Sequence, residues 1–148
     1  MSLKVVGTGG FGKVYLVRCK RDNRIYAMKA IRKDVILDAE MIESTQLEKD
    51  ILAEGSHPFL VGAEYVFTTD TRIFFVMRYV RGGELYRHLM QSKNQRFLED
   101  RAKFYAVQVA IAIGHLHGKK ILYRDLKPEN ILLEADGYIC LTDFGMAK

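Results

Sequence analysis

The segment Val5-Val6-Gly7-Thr8-Gly9-Gly10-Phe11-Gly12-Lys13-Val14 spaces three glycines as G-x-G-x-x-G and sets β-branched residues on either side of them. Glycine admits positive φ and close backbone approach, so the stretch reads as strand, turn and strand. Loops of this spacing also cradle phosphates, and three kinds come near it. In a dinucleotide-binding unit the glycines open a helix whose N-terminus faces the pyrophosphate. Here they run into Lys13-Val14-Tyr15-Leu16-Val17, a strand-like sequence, which excludes that kind. A P-loop requires Ser or Thr directly after its Lys to hold Mg²⁺, and residue 14 is Val. The third kind remains, a flexible hairpin whose glycines let backbone N–H groups lie over phosphates, beside the plain reading of a Gly-rich turn between two strands.

Beyond the loop, Ile25-Tyr26-Ala27-Met28-Lys29-Ala30-Ile31 predicts a third strand after the polar turn at residues 20–24. Met41, Ile42, Leu47, Ile51 and Leu52 recur at helical spacing over residues 39–54, and Gly55-Ser56-His57-Pro58 ends that pattern. Residues 65–67 and 73–77 flank Thr69-Asp70-Thr71 as a second hairpin. A short helix is expected from Leu85 to Met90. A long one is expected from Glu99 to His117, with Ala102, Tyr105, Ala106, Val109, Ile113 and Leu116 on a broad buried face. Asp136-Gly137 between two apolar runs signals a third hairpin.

Composition removes several function classes. The 148 residues suffice for a sizeable core. No apolar run approaches membrane-spanning length; the best candidate, Phe104 to Gly114, is short and interrupted by Gln108. Cys19 and Cys140 lie far apart without metal-ligand neighbours, which fits a reduced intracellular protein without a disulfide framework. With no N-terminal apolar run like a signal peptide, a cytoplasmic location is expected, with nuclear as the alternative. The net charge of +5 is scattered along the chain, so a solvated surface is expected and nucleic acid is not an expected partner. His115 and His117 sit two apart on the long helix and face different directions, which argues against a metal site.

Further along stand Tyr123-Arg124-Asp125-Leu126-Lys127-Pro128-Glu129-Asn130 and Asp143-Phe144-Gly145. Together with the glycine loop, Ala27-Met28-Lys29 and a helical Glu48, in this order, they closely resemble the eukaryotic protein kinases. Tyr-Arg-Asp stands where most members have His-Arg-Asp. Tyr123, the Gly82-Gly83-Glu84-Leu85 stretch and His57-Pro58-Phe59-Leu60-Val61 look most like the AGC group of Ser/Thr kinases.

The resemblance implies an α+β fold: an antiparallel-sheet small lobe with one packed helix over residues 1–78, a hinge over 79–83, and the first, mainly helical part of a large lobe over 84–148. It implies ATP and Mg²⁺. The nucleotide would meet Val6, Gly7, Thr8, Gly9, Gly10, Phe11, Gly12 and Val14 in the loop. It would also meet Ala27, Met77, Tyr79, Val80, Glu84, Leu132 and Thr142. Lys29, held by Glu48, would bind the α and β phosphates; Asp125 would accept the proton of a Ser or Thr hydroxyl; and Lys127 would steady the γ phosphate. Asn130 and Asp143 would hold the metal.

Arg78 stands where an acidic residue is common, and Ala63 where the family carries a larger side chain. The implied partners are ATP, a Ser/Thr-bearing protein or peptide substrate and, from Arg124 beside Asp125, an upstream activating kinase. The chain stops just after Asp143-Phe144-Gly145, so an activation segment and further helices are expected to be missing. The isolated 148 residues are expected to transfer little or no phosphate. The alternative is a non-catalytic nucleotide-binding or partner-binding module of the same descent.

Overall fold

The computed structural model describes residues 2–9, 12–36, 39–54 and 57–148, with the side chains of residues 2, 3, 8, 9 and 39 outside that description. The described residues fall into two compact units, Met1–Gly55 with Gly62–Tyr79, and Ser56–Val61 with Val80–Lys148.

The first unit is a five-stranded antiparallel sheet with one helix. Its strands are β1 (Ser2–Gly9), β2 (Gly12–Arg18), β3 (Ile25–Arg32), β4 (Ala63–Thr68) and β5 (Arg72–Arg78), in the order β1-β2-β3-β5-β4. Sequence position does not reveal that β5 lies inside and β4 at the edge, but burial explains it. Phe75, Val76 and Met77 are continuously buried, as a strand covered on both faces requires, whereas Tyr65 and Phe67 of β4 remain exposed. Helix α1 (Ala39–Glu54) packs on this sheet through Ile51 and Leu52. Ile42, part of the same periodic pattern, stays 56% exposed.

The second unit holds α2 (Leu85–Gln91), α3 (Glu99–Gly118), and the hairpin of β6 (Ile131–Leu133) with β7 (Ile139–Leu141). Gly137, at φ +88°, takes the left-handed position of the hairpin turn. The buried stripe of α3 is narrower than its composition suggests: Tyr105, Gln108, Ala112 and Leu116 point inward, while Ala102 and Ala106 are exposed. Ile139, Cys140 and Leu141 are fully buried. Each such apolar side chain contributes about 1.5–3 kcal/mol on burial, which is how a three-residue strand persists.

Residues 57–61 belong to the second unit although the chain before Ser56 and after Val61 belongs to the first. Leu60 bridges Leu141 in parallel; the Leu141 amide donates to the Phe59 carbonyl at 2.8 Å, and the Val61 amide to the Leu141 carbonyl at 2.8 Å.

Candidate active site

In the first unit the described residues singled out by sequence lie on four adjacent strands, β1, β2, β3 and β5, with Glu48 on α1 and Tyr79 just after β5. Gly7 pairs with Val14, Thr8 with Lys13, and Gly9 with Gly12, across irregularities that twist β1 near Val6. Gly10 and Phe11 lie outside the described residues. Gly12 is glycine because β3 passes too close for anything else: a Cβ there would lie 2.3 Å from the Ala30 carbonyl oxygen. On β3, Lys29 stands opposite Val14 on one side and Phe75 on the other. Ala27, two residues back and therefore on the same face, stands opposite Met77. Val14, Ala27, Lys29 and Met77 thus share one sheet face.

Lys29 Nζ donates to Glu48 Oε1 at 2.6 Å, with the two side chains 13% and 3% exposed. Burying a charge pair of this kind contributes little net stability, because desolvation offsets attraction. Its effect is to fix where the ammonium points. Glu48 is the one buried charged residue among those described, which separates it from the other acids of α1.

In the second unit the linker after Val80 is stitched to β6. The Gly82 amide donates to the Leu133 carbonyl and the Leu133 amide to the Gly83 carbonyl, both at 2.9 Å, and Glu84 bridges Leu132. A Cβ on Gly82 would lie 2.3 Å from the Leu133 carbonyl oxygen, and Gly83 sits at φ +76°. Two different constraints therefore demand the two glycines. His88 Nε2 closes the linker on the Gly82 carbonyl at 2.7 Å. Glu84 precedes α2 without a side-chain capping bond, Val80 is buried, and Tyr79, at the end of the first unit, is partly exposed.

The segment from 123 to 130 folds around the Asp125 carboxylate. Lys127 Nζ donates to both its oxygens, at 2.8 and 3.0 Å, and Asn130 Nδ2 donates to Oδ2 at 2.7 Å and to the Asp125 carbonyl at 3.0 Å. The hydrogen bond to Asp125 raises the Lys127 pKa, with Asp143 and Glu129 adding to it, so the ammonium is held charged. Pro128 sets the single 3-10 turn Pro128–Asn130 that brings Asn130 back to Asp125.

The Asn130 carbonyl accepts the Thr142 amide at 3.0 Å, tying this segment to the chain before Asp143. The Tyr123 hydroxyl donates to the Thr142 carbonyl at 2.6 Å, and the Tyr123 ring meets Phe144 edge-on at 5.7 Å. Burial, then the charges of Asp143 and Asp125, raise the Tyr123 pKa, so this phenol stays protonated and a donor. Arg124 and Asp143 hold left-handed backbone at φ 62° and 59°, a conformation that needs local support in non-glycine residues. Support comes from Arg124 Nε donating to the Met146 carbonyl at 2.7 Å and from the paired backbones of Leu122 and Lys148.

Among the described residues no group of three or more His, Cys, Asp or Glu side chains could hold a metal. The donor set still suits a hard cation. The amide nitrogen of Asn130 is engaged by Asp125, which leaves its amide oxygen, and Asp143 contributes a carboxylate. Mg²⁺ is held by few protein oxygens together with phosphates and water, and these two residues fit that pattern.

A five-stranded sheet with a buried Lys–Glu pair, and a hairpin that carries an Asp–Lys–Asn cluster beside Asp-Phe-Gly, define a class. The chain belongs to the protein kinase domain family, whose profile matches residues 1–148. Members of this family use ATP and a divalent metal and act on proteins. The chain is 50% identical over 147 residues to the serine/threonine-protein kinase Sgk2 of Homo sapiens, covering 99% of this chain and 40% of that protein. It is 48% identical over 146 residues to protein kinase 2 of Dictyostelium discoideum, covering 99% and 30%. It is 46% identical over 146 residues to a RAC family serine/threonine-protein kinase homolog of the same organism, covering 99% and 32%. Its relatives are thus AGC-type Ser/Thr kinases, and the chain spans roughly a third of their length. No described helix is long and apolar enough to cross a membrane.

Proposed function

We propose that these 148 residues supply the nucleotide-handling and proton-accepting parts of a protein kinase that transfers the γ phosphate of ATP to Ser or Thr hydroxyls. The observation that carries this reading is the Asp125 carboxylate, held at 2.7 to 3.0 Å by Asn130 and Lys127 beside the strand leading to Asp143. Phosphoryl transfer asks a protein for positioning and charge stabilisation more than for covalent chemistry. Asp125 orients the substrate hydroxyl and takes its proton as oxygen attacks phosphorus. Lys127, already held at that carboxylate, offsets charge on the transferring phosphoryl group. Lys29, aimed by Glu48, engages the α and β phosphates. Asn130 and Asp143 would hold Mg²⁺, which when bound neutralises charge on the phosphates. In the first unit Val14, Ala27, Met77 and Tyr79 are the residues proposed to meet the nucleotide, and in the second Val80, Leu132 and Thr142, with Glu84 for the ribose. An upstream activating kinase is part of the same reading. The Arg124 guanidinium has five N–H donors and one is engaged by Met146, so it could also receive a phosphate on a following segment.

A thermal melt with and without Mg²⁺-ATP tests this. At nucleotide a hundred times its dissociation constant, binding stabilises by about 2.7 kcal/mol. For a chain of this size that corresponds to a midpoint rise of roughly 5–10 °C. The rise is expected to need Mg²⁺, to shrink in Lys29→Met, and to lose its Mg²⁺ requirement in Asp143→Asn. A midpoint indifferent to Mg²⁺-ATP in the unsubstituted chain overturns the reading.

A further inference from the structure

Among the described residues three polar or charged side chains are buried: Glu48, Asn130 and Gln108. The first two belong to the site above. Gln108 lies on α3, in the middle of the helix's apolar run, and is 4% exposed. A buried amide persists only where its groups are bonded, and here both are. Gln108 Nε2 donates to the Phe104 carbonyl one turn earlier at 2.9 Å, which fixes the side chain, and Gln108 Oε1 accepts the amide of Ile139 at 2.9 Å.

Ile139 is the first residue of β7. This strand pairs with β6 along one edge, through Ile139–Leu133, Cys140–Leu132 and Leu141–Ile131. Its other edge presents two amides: that of Leu141, which meets the Phe59 carbonyl, and that of Ile139, which meets Gln108. A three-residue strand carries little register information of its own, and a slip by one residue would exchange its two faces. Two residues after β7 comes Asp143, on left-handed backbone. The Ile139 amide is thus one of the anchors ahead of Asp143, beside the bonds of Leu141 to residues 59 and 61 and of Thr142 to Asn130 and Tyr123.

We propose that Gln108 is a positioning residue: from the far side of the hairpin it sets the register of β7 and thereby the placement of Asp143 for Mg²⁺. This rests on the role for Asp143 argued above, and it adds a residue that touches neither nucleotide nor metal.

The test compares the chain with Gln108→Met, which keeps the volume but removes both hydrogen bonds, and Gln108→Glu, which keeps an acceptor for the Ile139 amide. Hydrogen exchange is followed residue by residue, and the Mg²⁺ concentration for half-maximal ATP binding is measured beside ATP affinity without metal. Loss of the partner of a buried amide should speed exchange over residues 139–143 by roughly tenfold in Gln108→Met and raise the Mg²⁺ requirement by a similar factor. Metal-free ATP affinity and exchange in β1–β5 should stay within about twofold. Gln108→Glu should return both altered readouts most of the way. Unchanged exchange over 139–143, or an equal acceleration across β1–β5, overturns the proposal, the second because it describes a general loss of stability. If the unsubstituted chain shows no Mg²⁺-dependent binding, the kinase reading fails, and the exchange pattern alone decides for or against the control of register. If Gln108→Met does not fold, Gln108→Glu decides: exchange at Ile139 like that of the unsubstituted chain supports the proposal, and faster exchange there overturns it.

Discussion

Replacing Tyr123 by Phe deletes one oxygen atom from a side chain that is 2% exposed and leaves the ring against Phe144 in place. What is lost is the 2.6 Å hydrogen bond to the Thr142 carbonyl. A neutral hydrogen bond of this type contributes about 0.5–1.5 kcal/mol net, with a further cost where the abandoned carbonyl is shielded from water. About 1–2 kcal/mol of destabilisation follows, or roughly 2–8 °C in the midpoint of a chain this long. Removing the ring as well, in Tyr123→Ala, would cost about 3–5 kcal/mol. That is a large share of the stability of any domain.

The phenol also marks itself by pH. Its folded pKa lies above the ordinary value of 10.0, because burial and the nearby Asp143 and Asp125 disfavour the phenolate. A group whose pKa is raised by folding contributes stability that is complete below the unfolded value and is lost as pH climbs above it. The difference in unfolding free energy between the chain and Tyr123→Phe, read by urea denaturation, should therefore be constant from pH 7 to about 9 and narrow above about 10. A Phe variant as stable as the unsubstituted chain at pH 7, or a difference that ignores alkaline pH, would refute the account of Tyr123 as a buried donor.

Three further outcomes are expected. His57 Nδ1 accepts the Phe59 amide, which only a neutral ring can do, and burial followed by the adjacent His115 lowers the His57 pKa. Stability should accordingly be complete above about pH 6.5 and decline as pH falls below it. His57→Asn, which retains an acceptor for that amide, should flatten the decline in a pH series of melts. Gly82→Ala forces a Cβ onto the Leu133 carbonyl and should lower the midpoint more than Gly83→Ala, where the cost is a strained φ of about 1–3 kcal/mol; calorimetry on both variants checks the order. Without nucleotide, Asp143→Asn should lower the melting midpoint less than Asp143→Val, because Asn tolerates left-handed backbone as Asp does. Asp143→Val should lower it by several degrees before any ligand is added.

The strands, the helices and their order were legible because each rests on a local signal: the glycine spacing before Val14, helical periodicity through Leu52, and Asp136-Gly137 between apolar runs. The ends of α1 and α3 fall within a residue of the expected positions, since Gly55-Ser56-His57-Pro58 and Gly118-Lys119-Lys120 interrupt apolar periodicity sharply. What sequence could not reveal is pairing between distant segments. That β5 lies inside the sheet, that residues 57–61 accompany β7, and that Gln108 serves Ile139 are all contacts across long separations. Gln108 did leave a trace, as the amide that breaks an apolar run, but such a trace says only that a partner exists. Tyr123 was visible as a departure from His, while its bond to Thr142 depends on how Asp143 is folded back.

The excursion of residues 57–61 bears on how this chain can be cut. Because that segment belongs with the later residues while its flanks do not, the boundary between the two units is crossed three times, and no single cleavage separates them. Two polypeptides divided after Tyr79 would assign the Phe59 carbonyl and the Val61 amide to one piece and their partner Leu141 to the other. The later piece alone would expose an edge of β7 that it has no backbone to cover. Dissection at the apparent hinge would thus yield complementing fragments, each dependent on the other, in place of two autonomous modules.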